Sequence, residues 1–247
     1  YQAIEQHCQA AAHWHADETG WKVFVKVEEK ADHKRTLWVY RSPEAIFFAI
    51  ALTKGTKEAE AFFGPDAEGI LNVDRASNYK ALMAVKQGTL LLAFCWTHTR
   101  RDFLDAVRGD PEQQDWAESW LTRIGELFHV NTLRVAAWKQ DPHGPEFAQH
   151  DAVLRARLED FRAARDEQLQ QQPLPAVRKR ILTSLVNHWG LLVSWTIRKY
   201  RWTTAKPSVA CVAPRWAART IGVQARRGPG SWPNVVFRCL PRCCWPA

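Results

Sequence analysis

The chain has 247 residues, 46% hydrophobic and 24% charged, which suits one sizeable core, alone or with a small appended unit, and excludes a disordered chain. Its longest apolar runs, Ala45–Leu52 and Thr89–Trp96, fall far short of the roughly 20 residues that cross a bilayer, so no membrane partner is expected. The net charge of +8 is unevenly placed: ten of the 34 Lys and Arg lie from Leu191 onward with no Asp or Glu among them, whereas residues 1–190 hold 24 basic against 26 acidic side chains. The excess positive charge therefore sits in a tail whose Pro, Gly, Arg, Cys and Trp mixture follows neither a helical nor a strand period. No basic-then-apolar leader precedes a cleavage site, and six cysteines in a chain this long do not make a disulfide scaffold, so a reducing, cytoplasmic compartment is expected. The chain opens on Tyr1 rather than Met, and an upstream part is expected.

In chain order, His13–Val27 is a strand candidate broken by Gly20, Arg35–Arg41 is rich in β-formers and Ala45–Leu52 is a third apolar run. Glu58–Phe63 predicts a short helix, Gly69–Asp74 a buried strand, Ser77–Val85 a helix, Thr89–Trp96 another buried strand and Thr97–Val107 a helix. Amphipathic helical periods come next over Asp115–His129 and Asp151–Gln172, with Pro173 and Pro175 ending the second, and Ala176–Trp189 reads as one more helix. Three strands and then strand, helix, strand and helix predict an α/β fold, a mixed sheet with helices on its faces.

Three constellations could carry chemistry. On a strand, His13, His15 and Asp17 face one side, and two imidazoles with a carboxylate could bind a transition metal; a polar, wet edge face is the plainer reading. Asp74 stands at the end of a buried strand, where open α/β sheets place their ligands, although Asp is also a common cap for a following helix. Cys95 and His98 have the spacing of half a zinc site, but no second pair lies nearby, and Arg100 and Arg101 near a helix start could instead approach a phosphate. Phosphate-binding glycine loops, nucleophile elbows and His-Glu-x-x-His are absent.

Taken together, these segments resemble the catalytic domain of the insertion-sequence transposases of the IS66 group. The matching strings are HADETGWKV (15–23), LWVYRS (37–42), GILNVDRASNY (69–79), CWTHTRR (95–101) and IGELFHVNTLR (124–134), in the family's order, with Asn187-His-Trp-Gly190 resembling the approach to its last catalytic element. The resemblance covers roughly Ala12 to Gly190 and implies an RNase H-like fold with a helical insertion. It also implies two-metal DNA strand transfer, with Asp17 as the first catalytic aspartate and Asp74 as the second. Both would ligate Mg²⁺ or Mn²⁺, hard cations that take carboxylate oxygens. The implied partner is DNA, both element ends and target, with His98, Arg100 and Arg101 as candidate contacts; a homo-oligomer stays open. Where the family has Asp-Gly or Asp-Cys, this chain has Asp74-Arg75.

The family's third acidic residue lies in a DNNxxER-like motif with a GRKN-like string after it, and neither occurs beyond Gly190. The genetic code supplies a reason. When the tail is read one frame over, Trp202-Thr203 forces an Asp codon, and one codon choice across Val193–Gly222 gives LVDHPEIPMDNSKAERSLRGPAVGRKNYW. That string contains the missing motif at the expected place, which indicates a frameshift near Gly190–Val193. The expected organisation is the end of an upstream region over residues 1–12, the first part of the core over 13–110, a helical insertion over 111–190 and an irregular, out-of-frame tail over 191–247. Such a tail is expected to pack poorly, and the chain to be a transposase by descent that no longer cuts DNA. A non-catalytic DNA-binding or regulatory remnant is the alternative.

Overall fold

The computed structural model describes residues 1–22 and 34–194, together with a ribbon pairing Ala225–Arg226 with Asn234–Val235. The remaining residues, including most of the tail whose packing the sequence puts in question, lie outside the described residues. A helix α1 (Gln2–Gln9) leads into β1 (His13–Lys22), β2 (Lys34–Arg41) and β3 (Ile46–Ala51). Then come α2 (Thr56–Phe63), β4 (Gly69–Val73), the short α3 (Ser77–Lys80) and α4 (Met83–Gln87), β5 (Leu90–Phe94) and α5 (Trp96–Gly109). Three long helices complete the described chain: α6 (Gln114–Gln140), α7 (Pro145–Gln170) and α8 (Ala176–Leu192).

The five strands form one mixed sheet in the order β3-β2-β1-β4-β5, antiparallel over β1, β2 and β3 and parallel over β1, β4 and β5. The α/β class expected from the strand and helix pattern is therefore the observed one. Alternation along β1 explains its placement: Trp14 and Ala16 are buried in the main core, whereas His13, His15 and Asp17 face the other side. That core continues through Trp38 and Tyr40 of β2, Leu71 and Val73 of β4, and Leu92 and Phe94 of β5. Tyr40 stacks on Phe62 of α2 with ring centroids 3.8 Å apart. Buried aromatics of this size supply much of the apolar area that holds helix to sheet. On the opposite face, Leu37 and Val39 pack with Phe48 and Ile50.

The register between β1 and β4 starts at a glycine that nothing else can replace. Gly69 has φ +146°, and a Cβ there would overlap the carbonyl oxygen of Ala12 and approach the Trp14 ring to 2.9 Å. Ala12 accepts instead from the Ile70 N–H at 3.0 Å, which sets His13 beside Ile70.

Two elements differ from the sequence expectation. Gly20 does not break β1, because its strand pairing with Thr36 continues past it. The single helix expected over Ser77–Val85 is two short ones, since the N–H groups of Ala81 and Leu82 bond three residues back and the chain turns to bury Leu82. The helices α6 and α7 also outrun their periodic segments; α7 begins at Pro145, a residue suited to the first helical position. Joined by four residues, α6 and α7 pack along one another, with Trp120 and Phe161 in edge contact at 4.7 Å. From the second helix of this pair the chain returns through α8, where Trp189 stacks on Phe161. The end of α8 is then tied to the sheet: Trp96 Nε1 donates to Leu192 O, and Ser194 Oγ to Leu92 O, both at 2.9 Å. Among the described residues no helix is long and apolar enough to cross a membrane.

Candidate active site

The site arises from strand register. His15 pairs with Asn72 across the parallel β1–β4 ladder, so two residues further on Asp17 comes opposite Asp74. Val73 pairs with Phe94, so Cys95, which caps α5, comes opposite Asp74 on the other side. The carboxyl ends of β4 and β5 and the middle of β1 thus bring together Asp17, Asp74 and Cys95, at the place where parallel sheets bind ligands. His98, one turn into α5, joins them through a side-chain hydrogen bond with Cys95 and through the fields of Asp17 and Asp74.

The electrostatics are those of acidic groups crowded in a half-buried place. Burial, with the negative Asp74 and the neighbouring Cys95, raises Asp17 from 3.8 to about 6, against the opposing pull of His98 and of the Glu18 N–H that donates to Asp17 Oδ1 at 3.0 Å. Burial alone would lower His98, but Cys95 and the two carboxylates outweigh it, so the imidazole holds its proton more firmly than usual. His13 and His15 are lowered to about 4, by burial first, and are neutral near pH 7. Asn72 Nδ2 lies 2.5 Å from His13 Nε2, and His15 Nε2 is buried without a partner.

Several supporting contacts escaped the sequence reading. Glu18 alternates with Asp17 and so faces the core side, where its carboxylate accepts from Tyr79 Oη at 2.7 Å. That bond ties the strand carrying Asp17 to the helix just after Asp74. Asp74 Oδ1 accepts from the Ala76 N–H at 2.9 Å, which shapes the turn after β4. Arg75 then reaches across to Asp102 of α5 at 2.6 Å and Ser184 of α8 at 2.9 Å. Alternation along β1 could have placed Glu18; nothing local signals a partner for Arg75 that lies 109 positions away.

Of the sequence candidates, Asp17, Asp74 and His98 come together, while Arg100 and Arg101 are exposed on α5 beyond the site. Among the described residues no three His, Cys, Asp or Glu side chains are grouped to hold a metal ion, so the His13–His15–Asp17 set and the Cys95–His98 pair do not form a metal cage. The two aspartates nevertheless suit a hard divalent cation in their chemistry. They are oxygen donors, and the charge of Asp74 adds to burial in raising Asp17, a cost that a bound cation would relieve.

Fold and site together define an α/β domain with an acidic site at the ends of neighbouring parallel strands. The model of the Transposase IS66 family matches residues 1–197, four-fifths of the chain, and the chain belongs to that family. No curated protein and no solved structure matches.

Proposed function

We propose that this chain is the catalytic region of an RNase H-like DDE transposase, with α6 and α7 as its helical insertion, and that as it stands it no longer cleaves or transfers DNA strands. The observation that carries the first half is the register that sets Asp17 against Asp74 on adjacent parallel strands. Divalent ions bound there would supply Lewis-acid activation of a water or a 3′-hydroxyl and charge stabilisation of the leaving oxygen. The residues of this chain that would hold Mg²⁺ or Mn²⁺ are Asp17 and Asp74. Tyr79 and Glu18 keep the two carboxylate-bearing segments together. His98, more readily protonated than usual beside them, adds a positive charge suited to a phosphate oxygen. Arg100 and Arg101, exposed on the same helix, extend that surface towards DNA ends and target.

The second half rests on the acids. From Gln168 to Ala247 the chain contains no Asp or Glu, so neither α8 nor the chain beyond it can supply a third carboxylate. Two aspartates leave much of the coordination of two ions to water, and metal binding is expected to be weak. The 247-residue chain with Mg²⁺ or Mn²⁺ is expected to show no nicking, cleavage or strand transfer on labelled DNA. Robust activity that Asp17→Ala abolishes would overturn the loss of catalysis.

A second reading is favoured by the ten Lys and Arg from Leu191 onward, a stretch with no Asp or Glu in it. Such a segment can bind DNA through phosphate contacts whatever its origin, with an affinity that falls steeply with salt. Truncation after Ser194, which keeps α8 and its bonds to the sheet and removes all ten basic residues, is then expected to abolish the salt-sensitive binding seen in a filter or anisotropy assay. Unchanged affinity would assign the binding to α5 and the sheet instead.

A further inference from the structure

Beside the two aspartates lies a cation to which the proposed chemistry gives no task. Arg75 comes directly after Asp74 in the chain, and a guanidinium is well matched in shape and charge to a carboxylate. Two aspartates facing one another, with Asp17 raised by burial first and then by Asp74 against the pull of His98, form the kind of acidic pair that a nearby arginine neutralises. Yet Arg75 is turned the other way. Its Nη2 donates to Asp102 at 2.6 Å and its Nη1 to Ser184 at 2.9 Å, and the Arg75 and Asp102 side chains are only 21% and 31% exposed. The cation that lowers Asp17 is His98, one turn before Asp102 on α5. Asp74 directs one oxygen to the Ala76 N–H.

We propose that Asp102 and Ser184 form a charge lock on Arg75. They hold its guanidinium away from Asp17 and Asp74 and cancel its field, so that the carboxylate pair stays open to a divalent cation. The proposal rests on the reading of that pair as a metal site. Partial burial makes the lock effective, since a charge in this setting is screened less than one at the open surface. Ser184 adds a geometric element. It stands on α8, and His188, one turn later, has its ring 5.4 Å from that of Phe94 on β5, so the lock also fastens α8 to the end of the sheet. Once Asp102 loses its charge, the guanidinium next to Asp74 in the chain is left without its carboxylate partner and competes with any metal for the pair.

The experiment uses the full chain and Mn²⁺ alone, with free Mn²⁺ read from its paramagnetic resonance signal. Asp17→Asn marks which part of the binding belongs to the carboxylate pair. Asp102→Asn, which preserves shape and removes charge, is expected to weaken that part about fivefold, the scale of one unit charge acting across a partly buried site. Asp102→Glu keeps the charge and is expected to bind as the unaltered chain does. The double change Arg75→Gln with Asp102→Asn removes both charges and is expected to return the affinity to within about 1.5-fold of the starting value, by the same Coulomb argument. Unchanged binding in Asp102→Asn, or a double variant as weak as Asp102→Asn, overturns the lock; the latter outcome would mean that packing rather than charge is at stake. Binding indifferent to Asp17→Asn removes the metal reading and the lock with it.

Discussion

Replacing residues 193–222 with LVDHPEIPMDNSKAERSLRGPAVGRKNYW, the string that the alternative reading frame permits, is expected to give a protein that nicks DNA with Mg²⁺ or Mn²⁺. Asp17→Asn or Asp74→Asn in that protein is expected to lower the rate by about a thousandfold or more, as loss of one member of a cooperating catalytic set does. The argument is geometric as well as genetic. The end of α8 is docked at β5 by the Trp96–Leu192 hydrogen bond, and its middle by Arg75 and Ser184, all of which the replacement leaves in place. The replaced segment therefore starts at a helix end held against β5, the strand that runs into Cys95 opposite Asp74. An acidic residue carried on a short element after α8 begins close to the other two. The assay is gel analysis of labelled duplex and of pre-cut element-like ends, with the unaltered chain in parallel. A repaired protein that is folded and binds DNA but leaves it uncut, across both metals, would refute the frameshift account of the missing acid. Equal cutting by both proteins would refute the loss of catalysis.

How much of this was legible in the sequence depends on the range of the interaction. The strands and the α/β class were readable because burial repeats locally: GILNV is buried along its whole length, and the alternation in His13–Asp17 separates core from site. Asp74 was a candidate because it ends such a strand; Asp17 needed the family resemblance, since the strand pattern alone reads more plainly as a wet edge. The partnership between them is a matter of register, which the sequence does not display until Gly69 and Ala12 are seen in contact. The break in the expected Ser77–Val85 helix and the Arg75 bonds to Asp102 and Ser184 were hidden for a related reason. Each is decided by tertiary contacts that leave no periodic trace.

Asp17→Asn is expected to make the chain more stable, by about 2 kcal/mol at pH 8, with the gain vanishing as the pH falls to 4. Asp17 ionises near 3.8 in an unfolded chain and at about 6 in the fold, where burial and the charge of Asp74 oppose ionisation. Above pH 6 both states carry the negative charge and the folded state bears its full unfavourable energy, roughly 2–3 kcal/mol for a shift of this size. Between pH 6 and 3.8 the folded chain holds a proton that the unfolded chain has released, so stability rises as the pH falls. Below that range the carboxyl is neutral in both and the difference is gone. Asparagine fills the same space, can still accept from the Glu18 N–H through its carbonyl oxygen, and carries no charge at any of these values. His13 and His15, lowered to about 4, destabilise the fold as the pH falls below their ordinary 6.5, but they are present in both proteins and drop out of the comparison. Urea unfolding of both proteins at pH 8, 6 and 4 checks the expectation, and a less stable Asp17→Asn chain at pH 8 would sink it. Millimolar Mn²⁺ adds the functional half: it is expected to stabilise the unaltered chain at pH 8 and leave Asp17→Asn unmoved, since only a cation bound to the folded site shifts the equilibrium. An acidic pair that weakens the fold until a metal arrives is the behaviour that the proposed metal-binding role of Asp17 and Asp74 requires.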